Sequence, residues 1–428
     1  MHSIDHQILI IGAGASGLSA AYHLEQKGVK PLILEARDTF GGRIRTTQEL
    51  GFPCDFGASF IHGTVGNVCY DLARENDIPL VEFDYETPTV RINGNEVDSD
   101  EFLAKMRSCE RVFNEVGQNS REDMSILEAA QIVKEADHEK LAPYVYTGMM
   151  TEIEAEYGAE VSNLSAKHFN AFGATEGPDW VFPEGYIGLF KAVSKGFNFE
   201  FGWNISQIEQ NKDHVTIKST SGKTITAKYV ICTVPLGVLK KRVIEFLPPL
   251  PEDKLEAIDK MGFSTLDKMF LIFDKVFWPD TSSMYLIDGK ENLPQNNIFA
   301  KNLYQSTKVP ALILFIPPSW KRAESDPQKI YEHCVSLVRN SFPESTFEVL
   351  KWSTTDWASD PFTWGSYSSF SVGSRPEDVG ILARREGRVL FAGEHTNLRR
   401  KATVQGAWLS GIRVANELLQ RLSEEQNS

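Results

Sequence analysis

Residues 12–17 form a glycine-rich turn, Gly-Ala-Gly-Ala-Ser-Gly, between an apolar run and a segment whose apolar residues have helical spacing. Such a turn lets the backbone approach a pyrophosphate, whose charge then lies at the positive end of the following helix. The residues predicted to form this cradle are Gly12, Gly14, Ala15, Ser16 and Gly17. Glu35 ends the next apolar run, the position from which an acid binds a ribose hydroxyl. The sequence therefore predicts a dinucleotide site.

A second group of glycines follows Glu35 and includes arginines. Arginine neutralises a pyrophosphate, and glycine lets the backbone lie close to a flat ligand. The residues of this group that we expect to contact the ligand are Ala36, Arg37, Gly42, Arg43, Gly57, Ala58 and Ser59. These residues and the first turn do not by themselves distinguish FAD from NAD.

Lys268 is a candidate for chemistry because it precedes the apolar run 269–273, Met-Phe-Leu-Ile-Phe. A charged group inside a buried strand needs a partner or a task, because its desolvation is costly. An isolated lysine in such a run is most often an outward-facing strand residue. The run alone leaves both interpretations open.

The elements that position these residues begin with a βαβ unit. The residue pattern predicts a strand at 7–11, a helix at 15–27 and a second strand at 31–34. This βαβ unit predicts an α/β fold with parallel strands. Alternating strands at 268–273 and 311–316 predict an antiparallel sheet in a second, α+β domain. The two domains are expected to interleave along the chain.

The expected domain boundaries lie where the pattern of polar and apolar residues changes along the sequence. We expect a dinucleotide-binding domain of residues 1–83, 184–262 and 374–428, and a substrate domain of residues 84–183 and 263–373. A chain of 428 residues is longer than one hydrophobic core usually supports, which also favours two domains.

Composition excludes several classes of partner. The net charge of −14 arises from 58 acidic and 44 basic residues, which argues against nucleic acid binding. The five cysteines are scattered without metal-ligand spacing, so we expect no metal and a reducing compartment. No apolar stretch approaches the length of a membrane span, and the first residues do not resemble a signal peptide. We therefore expect a cytoplasmic monomer or homodimer that does not bind membranes.

Further motifs extend along the whole chain in a fixed order. They are Pro-Glu-Gly-Tyr at 183–186, Thr-Val-Pro-Leu-Gly-Val-Leu at 233–239, Leu-Asp-Lys at 266–268, Gly-Ser-Tyr at 365–367, and Phe-Ala-Gly-Glu at 391–394. With the two glycine-rich segments, this set resembles the flavin amine oxidase family of polyamine oxidases, monoamine oxidases and lysine-specific histone demethylases. Within that family the sequence looks closest to polyamine oxidases, because it lacks the long inserted helical hairpin of the demethylases.

The resemblance implies a cofactor and a fold. The cofactor is FAD, bound in a Rossmann-like domain of the glutathione-reductase type. The implied contacts beyond those above are Ile205, Thr233, Pro235, Trp357, Gly393, Glu394, Thr403 and Val404. The helix after Thr403 then directs its positive end at the flavin's N1 and C2 carbonyl. Ser366 stands where monoamine oxidases have a cysteine bonded to the flavin, which implies non-covalent FAD.

The resemblance also implies roles at the site of reaction. Lys268 matches the lysine that holds a water near flavin N5 and assists reoxidation by O2. Tyr367 matches the aromatic residue that faces the flavin, and Thr403 replaces its frequent aromatic partner. His62 stands where several polyamine oxidases have an active-site histidine, although a lone histidine is as often structural. Acidic residues that could contribute to a tunnel binding distal ammonium groups are Glu152, Glu154, Glu156 and Glu184, although solvated surface acids are the preferred interpretation for most of them.

The implied reaction transfers a hydride from the carbon beside a neutral amine to FAD, and O2 is then reduced to H2O2. Water hydrolyses the resulting imine to an aldehyde and an amine. A monoamine oxidase and an L-amino-acid oxidase remain alternatives, although residues 57–63 contain no arginine to bind a carboxylate. A flavoprotein desaturase of the same fold and a flavin-binding protein without turnover are further alternatives.

Overall fold

The computed structural model describes residues 4–136, 142–173, 175–288 and 297–426. Its strands are β1 His6–Ile11, β2 Leu32–Leu34, β3 Thr46–Thr47, β4 Cys54–Asp55, β5 Val81–Phe83, β6 Thr89–Ile92, β7 Asn95–Val97, β8 Asp179–Val181, β9 Asn198–Glu200, β10 Ile205–Gln210, β11 Val215–Ser219, β12 Thr224–Cys232, β13 Glu245–Leu247, β14 Gly262–Ser264, β15 Asp267–Phe273, β16 Ser283–Ile287, β17 Asn297–Asn302, β18 Ala311–Ile316, β19 Val349–Thr354, β20 Tyr367–Ser369 and β21 Val389–Phe391.

The helices connect and cover these strands. They are α1 Ala15–Glu25, α2 Val68–Glu75, α3 Ser99–Asn119, α4 Ile126–Ala136, α5 Ala142–Thr147, α6 Ala155–Tyr157, α7 Ile187–Val193, α8 Leu236–Lys240, α9 Glu252–Lys260, α10 Tyr304–Thr307, α11 Pro318–Ala323, α12 Pro327–Ser341, α13 Pro376–Ala383 and α14 Val404–Gln426. A π-helical turn spans Gly148–Glu154, and a 3-10 turn spans Glu394–Thr396. No helix within the described ranges is long and apolar enough to cross a bilayer.

The first sheet has eight strands in the order β13-β10-β11-β12-β1-β2-β9, and β21 pairs with β12. Strands β12, β1, β2 and β9 run parallel, as the βαβ pattern predicts. Parallel strands place their carboxyl ends at one edge of a sheet, where ligands of such folds bind. The residues that follow β1, β2 and β12, namely Gly12, Glu35 and Thr233, therefore meet at one edge.

The second sheet has seven strands in the order β19-β15-β18-β17-β16-β6-β7. Strands β15 to β19 pair antiparallel, as the alternating pattern predicted. The pairing of β6 with β16 is parallel, which that pattern did not predict. These two strands come from distant parts of the chain, so no hairpin fixes their relative direction.

Strand β1 is buried on both faces, because helices cover both sides of the first sheet. Ile8 and Ile10 pack in one apolar cluster with α1 and α14, whereas Leu9 and Ile11 pack in another. Helix α14 lies so close to α1 that a Cβ added at Gly411 would be 2.4 Å from the backbone oxygen of Ser16. Small residues at this crossing let the last helix reach the glycine turn.

This close approach predicts the effect of one added methyl group. We expect Gly411→Ala to lower the free energy of unfolding by about 1–3 kcal/mol, because the backbone of α1 must move. Gly380→Ala is the matched control, since Gly380 lies in α13 and a Cβ there meets nothing within 4 Å. It should stabilise the protein by up to about 1 kcal/mol through helix propensity. Denaturant titration measures both changes, and equal losses at the two positions would contradict the packing argument.

Candidate functional site

A cavity of about 950 Å³ lies between the carboxyl edge of the first sheet and one face of the second sheet. Its wall includes Ile11, Leu34 and Thr233 on one side, and Lys268 and Phe315 on the other. This volume is near the upper end of the range for small-molecule sites, which usually measure about 300–1,000 Å³. The cavity therefore has room for an extended ligand.

The cavity wall brings together nearly all residues that the sequence singled out. Those on the wall are Gly12, Gly14, Ala15, Ser16, Glu35, Ala36, Arg37, Gly42, Arg43, Gly57, Ala58, Ser59, His62, Ile205, Thr233, Pro235, Lys268, Trp357, Tyr367, Glu394, Thr403 and Val404. Gly17 and Gly393 lie behind the wall. A Cβ at Gly17 would be 2.0 Å from the carbonyl oxygen of Gly12, so this glycine serves helix packing.

The glycine turn presents backbone N–H groups to the cavity. Gly12 has a φ of +99°, and the hydroxyl of Thr233 donates to the carbonyl oxygen of Ile11 at 2.8 Å. The first hydrogen bond of α1 runs from the N–H of Leu18 to the carbonyl of Gly14 at 3.0 Å. The preceding N–H groups have no acceptor within the helix and can bind an anion.

Glu35 is held in place by two backbone donors. The N–H of Ala13 and the N–H of Arg37 donate to its carboxylate oxygens at 2.8 and 2.9 Å. The carboxylate therefore stands beside the glycine turn, at the cavity edge. A carboxylate has more acceptor capacity than these two bonds use, which leaves lone pairs for a ligand hydroxyl.

Arg43 and Glu394 form an ion pair of 2.8 Å across the cavity wall. Arg43 also donates to the carbonyl of Ser366, while Glu394 accepts from the hydroxyl of Ser368 at 2.6 Å and the N–H of Ala402 at 3.0 Å. Burial by itself would raise the pKa of Glu394, but Arg43 and the hydrogen bonds outweigh it and hold this pKa at about 2. Glu394 is therefore ionised at any ordinary pH.

Helix α14 begins at the cavity. The hydroxyl of Thr403 donates to the carbonyl of Arg400 at 2.8 Å and accepts from the N–H of Gly406 at 2.9 Å. This capping leaves the N–H groups of Val404 and Gln405 without an intrahelical acceptor. The helix has 23 residues, so its positive end faces the cavity with a full macrodipole.

Lys268 projects from β15 into the cavity wall, where it is 6% exposed. Its Nζ donates to the carbonyls of Asp55 and Gly57 at 2.8 and 2.5 Å, and to the hydroxyl of Ser59 at 3.0 Å. Burial lowers the pKa of Lys268 to about 8, and Asp55 opposes this shift. The outward-facing interpretation is therefore wrong, because the ammonium is fixed against the turn of residues 57–59.

Tyr367 is held by the segment that follows the π-helical turn. Its hydroxyl donates to the carbonyl of Glu156 at 3.0 Å, with the carbonyl of Ala155 at 3.5 Å. Gly158 packs against the ring, since a Cβ there would be 2.7 Å from Cζ of Tyr367. Burial and then Glu156 and Glu394 raise the pKa of Tyr367 far above its ordinary value. The phenol therefore stays neutral.

His62 faces the cavity with its ring fixed on two sides. Its Nδ1 lies 2.7 Å from a carboxylate oxygen of Asp179, which also accepts from the N–H of Gly63 at 2.7 Å. The imidazole stacks on Phe60 with a centroid distance of 5.5 Å. The His62 side chain is 44% exposed. Sequence reasoning missed Asp179 as the residue that orients this histidine.

The acids proposed for a tunnel separate into different environments. Glu156 lines the cavity, whereas Glu154 is buried and accepts from the N–H of Val161 at 3.0 Å. Glu184 is exposed and lies off the cavity wall. The side chain of Glu152 lies outside the described residues. Glu184 therefore fits the interpretation as a solvated surface acid, and the buried Glu154 fits neither that interpretation nor a tunnel.

Sequence reasoning also missed five aromatic residues of the wall and several cations. The aromatic residues are Phe60, Tyr85, Tyr285, Phe299 and Phe315, and the cations on the wall are Arg107, Arg399, Arg400 and Lys401. Phe299 and Phe315 stand in apolar runs without alternation, so no pattern in the sequence indicated the face that each occupies. Lys301, buried behind Phe60, showed the same signal as Lys268, a charge in an apolar strand.

These features fit FAD. The N–H groups at the start of α1 suit the pyrophosphate, Glu35 suits a ribose, and the start of α14 suits the electron-rich edge of a flavin. A Cβ at Gly14 would meet no atom nearer than 4.0 Å, so its face toward the cavity is open. Among the residues whose placement is described, no cluster of three or more His, Cys, Asp or Glu has the arrangement of a metal site.

The position of Glu35 predicts its contribution to FAD affinity. We expect Glu35→Ala to raise the dissociation constant for FAD by about 10–100-fold, because a hydrogen bond to a charged group is lost. Glu35→Gln should have a smaller effect, since one acceptor oxygen remains. Titration of the apoprotein with FAD, followed by flavin fluorescence, measures both. Glu209→Ala, at an exposed acid paired with Lys218, is the control and should leave the affinity unchanged.

Comparison with known proteins assigns the chain to a family. The family model described as flavin containing amine oxidoreductase matches residues 15–419. Polyamine oxidase 4 of Oryza sativa subsp. japonica is 29% identical over 97% of this chain and 89% of its own length. Polyamine oxidase 2 of Arabidopsis thaliana is 28% identical over 97% and 89%.

A relative of another kind matches almost as well. Lysine-specific histone demethylase 1 homolog 2 of Oryza sativa subsp. japonica is 30% identical over 98% of this chain but 58% of its own length. The family match confirms the predicted FAD-dependent amine oxidase. The chain belongs to the flavin-containing amine oxidoreductases.

Proposed function

We propose that the protein oxidises a carbon–nitrogen bond of a polyamine or a related amine, giving an imine that water hydrolyses to an aldehyde and an amine. The observation that carries this proposal is the placement of Lys268, Tyr367 and the start of α14 on the wall of one cavity. The polyamine oxidases among the relatives support polyamines as the substrate class.

Bound FAD would supply the acceptor for a hydride and pass the electrons to O2, which leaves as H2O2. The chain's own residues set the conditions for this transfer. The aromatic wall of Phe60, Phe299 and Phe315 excludes water and disfavours the ammonium form of the substrate. Tyr367 stays neutral and is fixed by two carbonyl groups, so it orients the amine and accepts no proton. The substrate amine therefore loses its proton before it reacts.

Lys268 has a separate task in this proposal. Three acceptors hold its ammonium beside residues 57–59, so the charge is in place without rearrangement. A preorganised positive charge stabilises negative charge that develops on oxygen during the reaction with O2.

The domain arrangement, the cellular location and the oligomeric state are also part of the proposal. The order of the parallel strands around β1 supports a dinucleotide-binding domain of the glutathione-reductase type. The substrate domain would then contain the seven-stranded sheet. We also propose a cytoplasmic location and a monomer or homodimer.

A screen of amines tests the function. Purified holoenzyme is mixed with spermine, spermidine, N-acetylated polyamines, putrescine, aromatic monoamines or L-amino acids, and H2O2 and the aldehyde products are measured. We expect H2O2 in equimolar amount with aldehyde from polyamines. Preference for an aromatic monoamine or an L-amino acid would contradict the proposed substrate class, and absence of turnover with every amine would contradict an oxidase.

The same screen at several pH values tests the requirement for a neutral amine. We expect the rate of flavin reduction at low substrate concentration to rise from pH 6 to pH 9, because the neutral fraction of the amine rises about tenfold per pH unit below its pKa. Glu394 is ionised and Tyr367 neutral across this range, so neither should produce the rise. Lys268 and Lys301 titrate within the range, so the same profile is measured in Lys268→Met and Lys301→Met, where the rise should persist. A flat profile would contradict the mechanism.

Lys268→Met separates the two half-reactions. We expect flavin reduction by amine to change little and reoxidation by O2 to slow by about 100-fold, the usual cost of one preorganised electrostatic contact. Stopped-flow spectroscopy follows each half-reaction separately. Lys351→Met is the control, because Lys351 lies on the neighbouring strand β19, away from the cavity wall. Unchanged reoxidation in Lys268→Met would remove this lysine from the scheme.

A further inference from the structure

Lys301 lies on the face of the second sheet that forms the cavity. Side chains on β17 alternate, so Lys301 shares its face with Phe299, which lines the cavity, while Ala300 faces the other core cluster. Across the sheet it stands opposite Ile313 on β18, and Lys268 on β15 stands opposite Phe315 on the same strand. The two lysines therefore point the same way, two strands apart.

Lys301 differs from Lys268 in its partners. It is 3% exposed, and within the described ranges its Nζ makes neither a hydrogen bond nor an ion pair. The Nζ lies over two aromatic rings, 4.3 Å from the centroid of Phe60 and 5.4 Å from that of Phe83. Cation–π contacts offset only part of the cost of desolvating an ammonium. Stability therefore does not explain a lysine at this position.

The charged groups around Lys301 come from neighbouring elements. Burial and then the Lys268 ammonium on β15 lower the pKa of Lys301 to about 7, and the Asp55 carboxylate on β4 opposes both effects. Lys301 therefore carries its charge mainly below pH 7. His62, which is paired with Asp179, also stacks on Phe60. Among the described residues, two acids of the cavity wall near Phe60 have cationic partners, Asp179 with His62 and Glu86 with Arg107.

Phe60 separates Lys301 from the cavity. A ligand atom touching the cavity side of this ring lies on the order of 8 Å from Nζ, the 4.3 Å of the cation–π contact plus one van der Waals contact. Two like charges at about 8 Å repel enough, at an effective dielectric constant of about 20, to change an equilibrium by about 30-fold. A neutral substituent at the same place is not repelled.

We propose that Lys301 is a specificity-determining residue that excludes a second substrate ammonium from the Phe60 side of the cavity. The substrate is then an amine whose carbon chain on this side carries no charge. This inference rests on the proposed function, and it determines which of the carbon–nitrogen bonds in an unsymmetrical amine reaches the flavin.

Three amines that differ by one terminal amino group test the inference. They are spermidine, N-butylpropane-1,3-diamine, which lacks one end group, and N-propylbutane-1,4-diamine, which lacks the other. Anaerobic stopped-flow reduction of the holoenzyme at pH 6, where Lys301 is mostly protonated, gives the second-order rate constant for each. We expect one of the two analogues to react at least tenfold faster than spermidine, because its uncharged arm fits beside Phe60.

Two substitutions at Lys301 and one control assign the effect. The advantage of that analogue is the ratio of its rate constant to that of spermidine. In Lys301→Met this ratio should fall by at least tenfold, because the repelling charge is gone. Lys301→Arg retains a charge and should retain the advantage, as should Lys308→Met at an exposed lysine beyond the end of β17. Lys301→Met should also have a higher melting temperature, because an apolar side chain replaces a buried ammonium without hydrogen bonds.

The pH dependence gives a second measurement that does not rely on the methionine variant. As pH rises, Lys301 loses its proton and the repulsion disappears, so the analogue's advantage should shrink in the unmodified enzyme. It should shrink less in Lys301→Arg, because arginine keeps its charge. Comparison of the two proteins removes the contribution of the amine's own titration.

The outcomes separate the two proposals. The role of Lys301 would be overturned if the ratio of the two rate constants were equal in the unmodified enzyme and in Lys301→Met. Equal rate constants for all three amines would overturn it as well, and either result would leave amine oxidation intact. Failure of all three amines to reduce the flavin would overturn the proposed polyamine substrate, and the inference with it.

Discussion

The ion pair between Arg43 and Glu394 joins the parts of the chain that surround the cavity. Arg43 belongs to the glycine loop after the first βαβ unit, and Glu394 precedes the last helix. Through Ser366 and Ser368 the same pair holds the residues on either side of Tyr367. Because burial of an ion pair is favourable only when its other hydrogen bonds are satisfied, the three hydrogen-bond partners of this pair, Ser366, Ser368 and Ala402, are part of its stability. The position of α14 relative to Tyr367 depends on this network.

The site controls protonation by environment and not by a catalytic base. Tyr367 is neutral, Glu394 is ionised and paired, and His395 beside it is neutral because burial lowers the pKa of its imidazole to about 4. None of these groups exchanges a proton near neutral pH. The substrate amine and the two buried lysines do titrate closer to neutral pH, because burial lowers the pKa of Lys268 to about 8 and that of Lys301 to about 7. The electrostatic field in the cavity therefore changes with pH through these two lysines.

Local patterns predicted the parts of the site that one segment forms alone. The glycine turn, Glu35 and the strand of Lys268 depend on neighbours in sequence, and the structure places them on one wall. The pairing of Arg43 with Glu394 joins residues 351 apart, and that of His62 with Asp179 joins residues 117 apart. Such pairs depend on how whole elements pack, which periodicity does not encode. Glu154 and Glu156 show the same limit, since they stand two residues apart and yet Glu154 is buried whereas Glu156 lines the cavity.

Lys268 and Lys301 show that burial and strand position do not determine a lysine's task. Both project from one face of the second sheet, and burial lowers the pKa of each. Lys268 donates to three oxygen atoms, so its ammonium is fixed and its field acts at one place. Lys301 has aromatic rings where Lys268 has oxygen atoms, so its charge is weakly compensated and its field extends through Phe60 into the cavity. The Lys268 ammonium, held by three oxygen atoms, can stabilise an anion that develops close to it. The Lys301 ammonium, which has only aromatic rings beside it, repels other cations over a longer distance. The difference lies in the acceptors that the neighbouring loop supplies, and only the assembled fold reveals it.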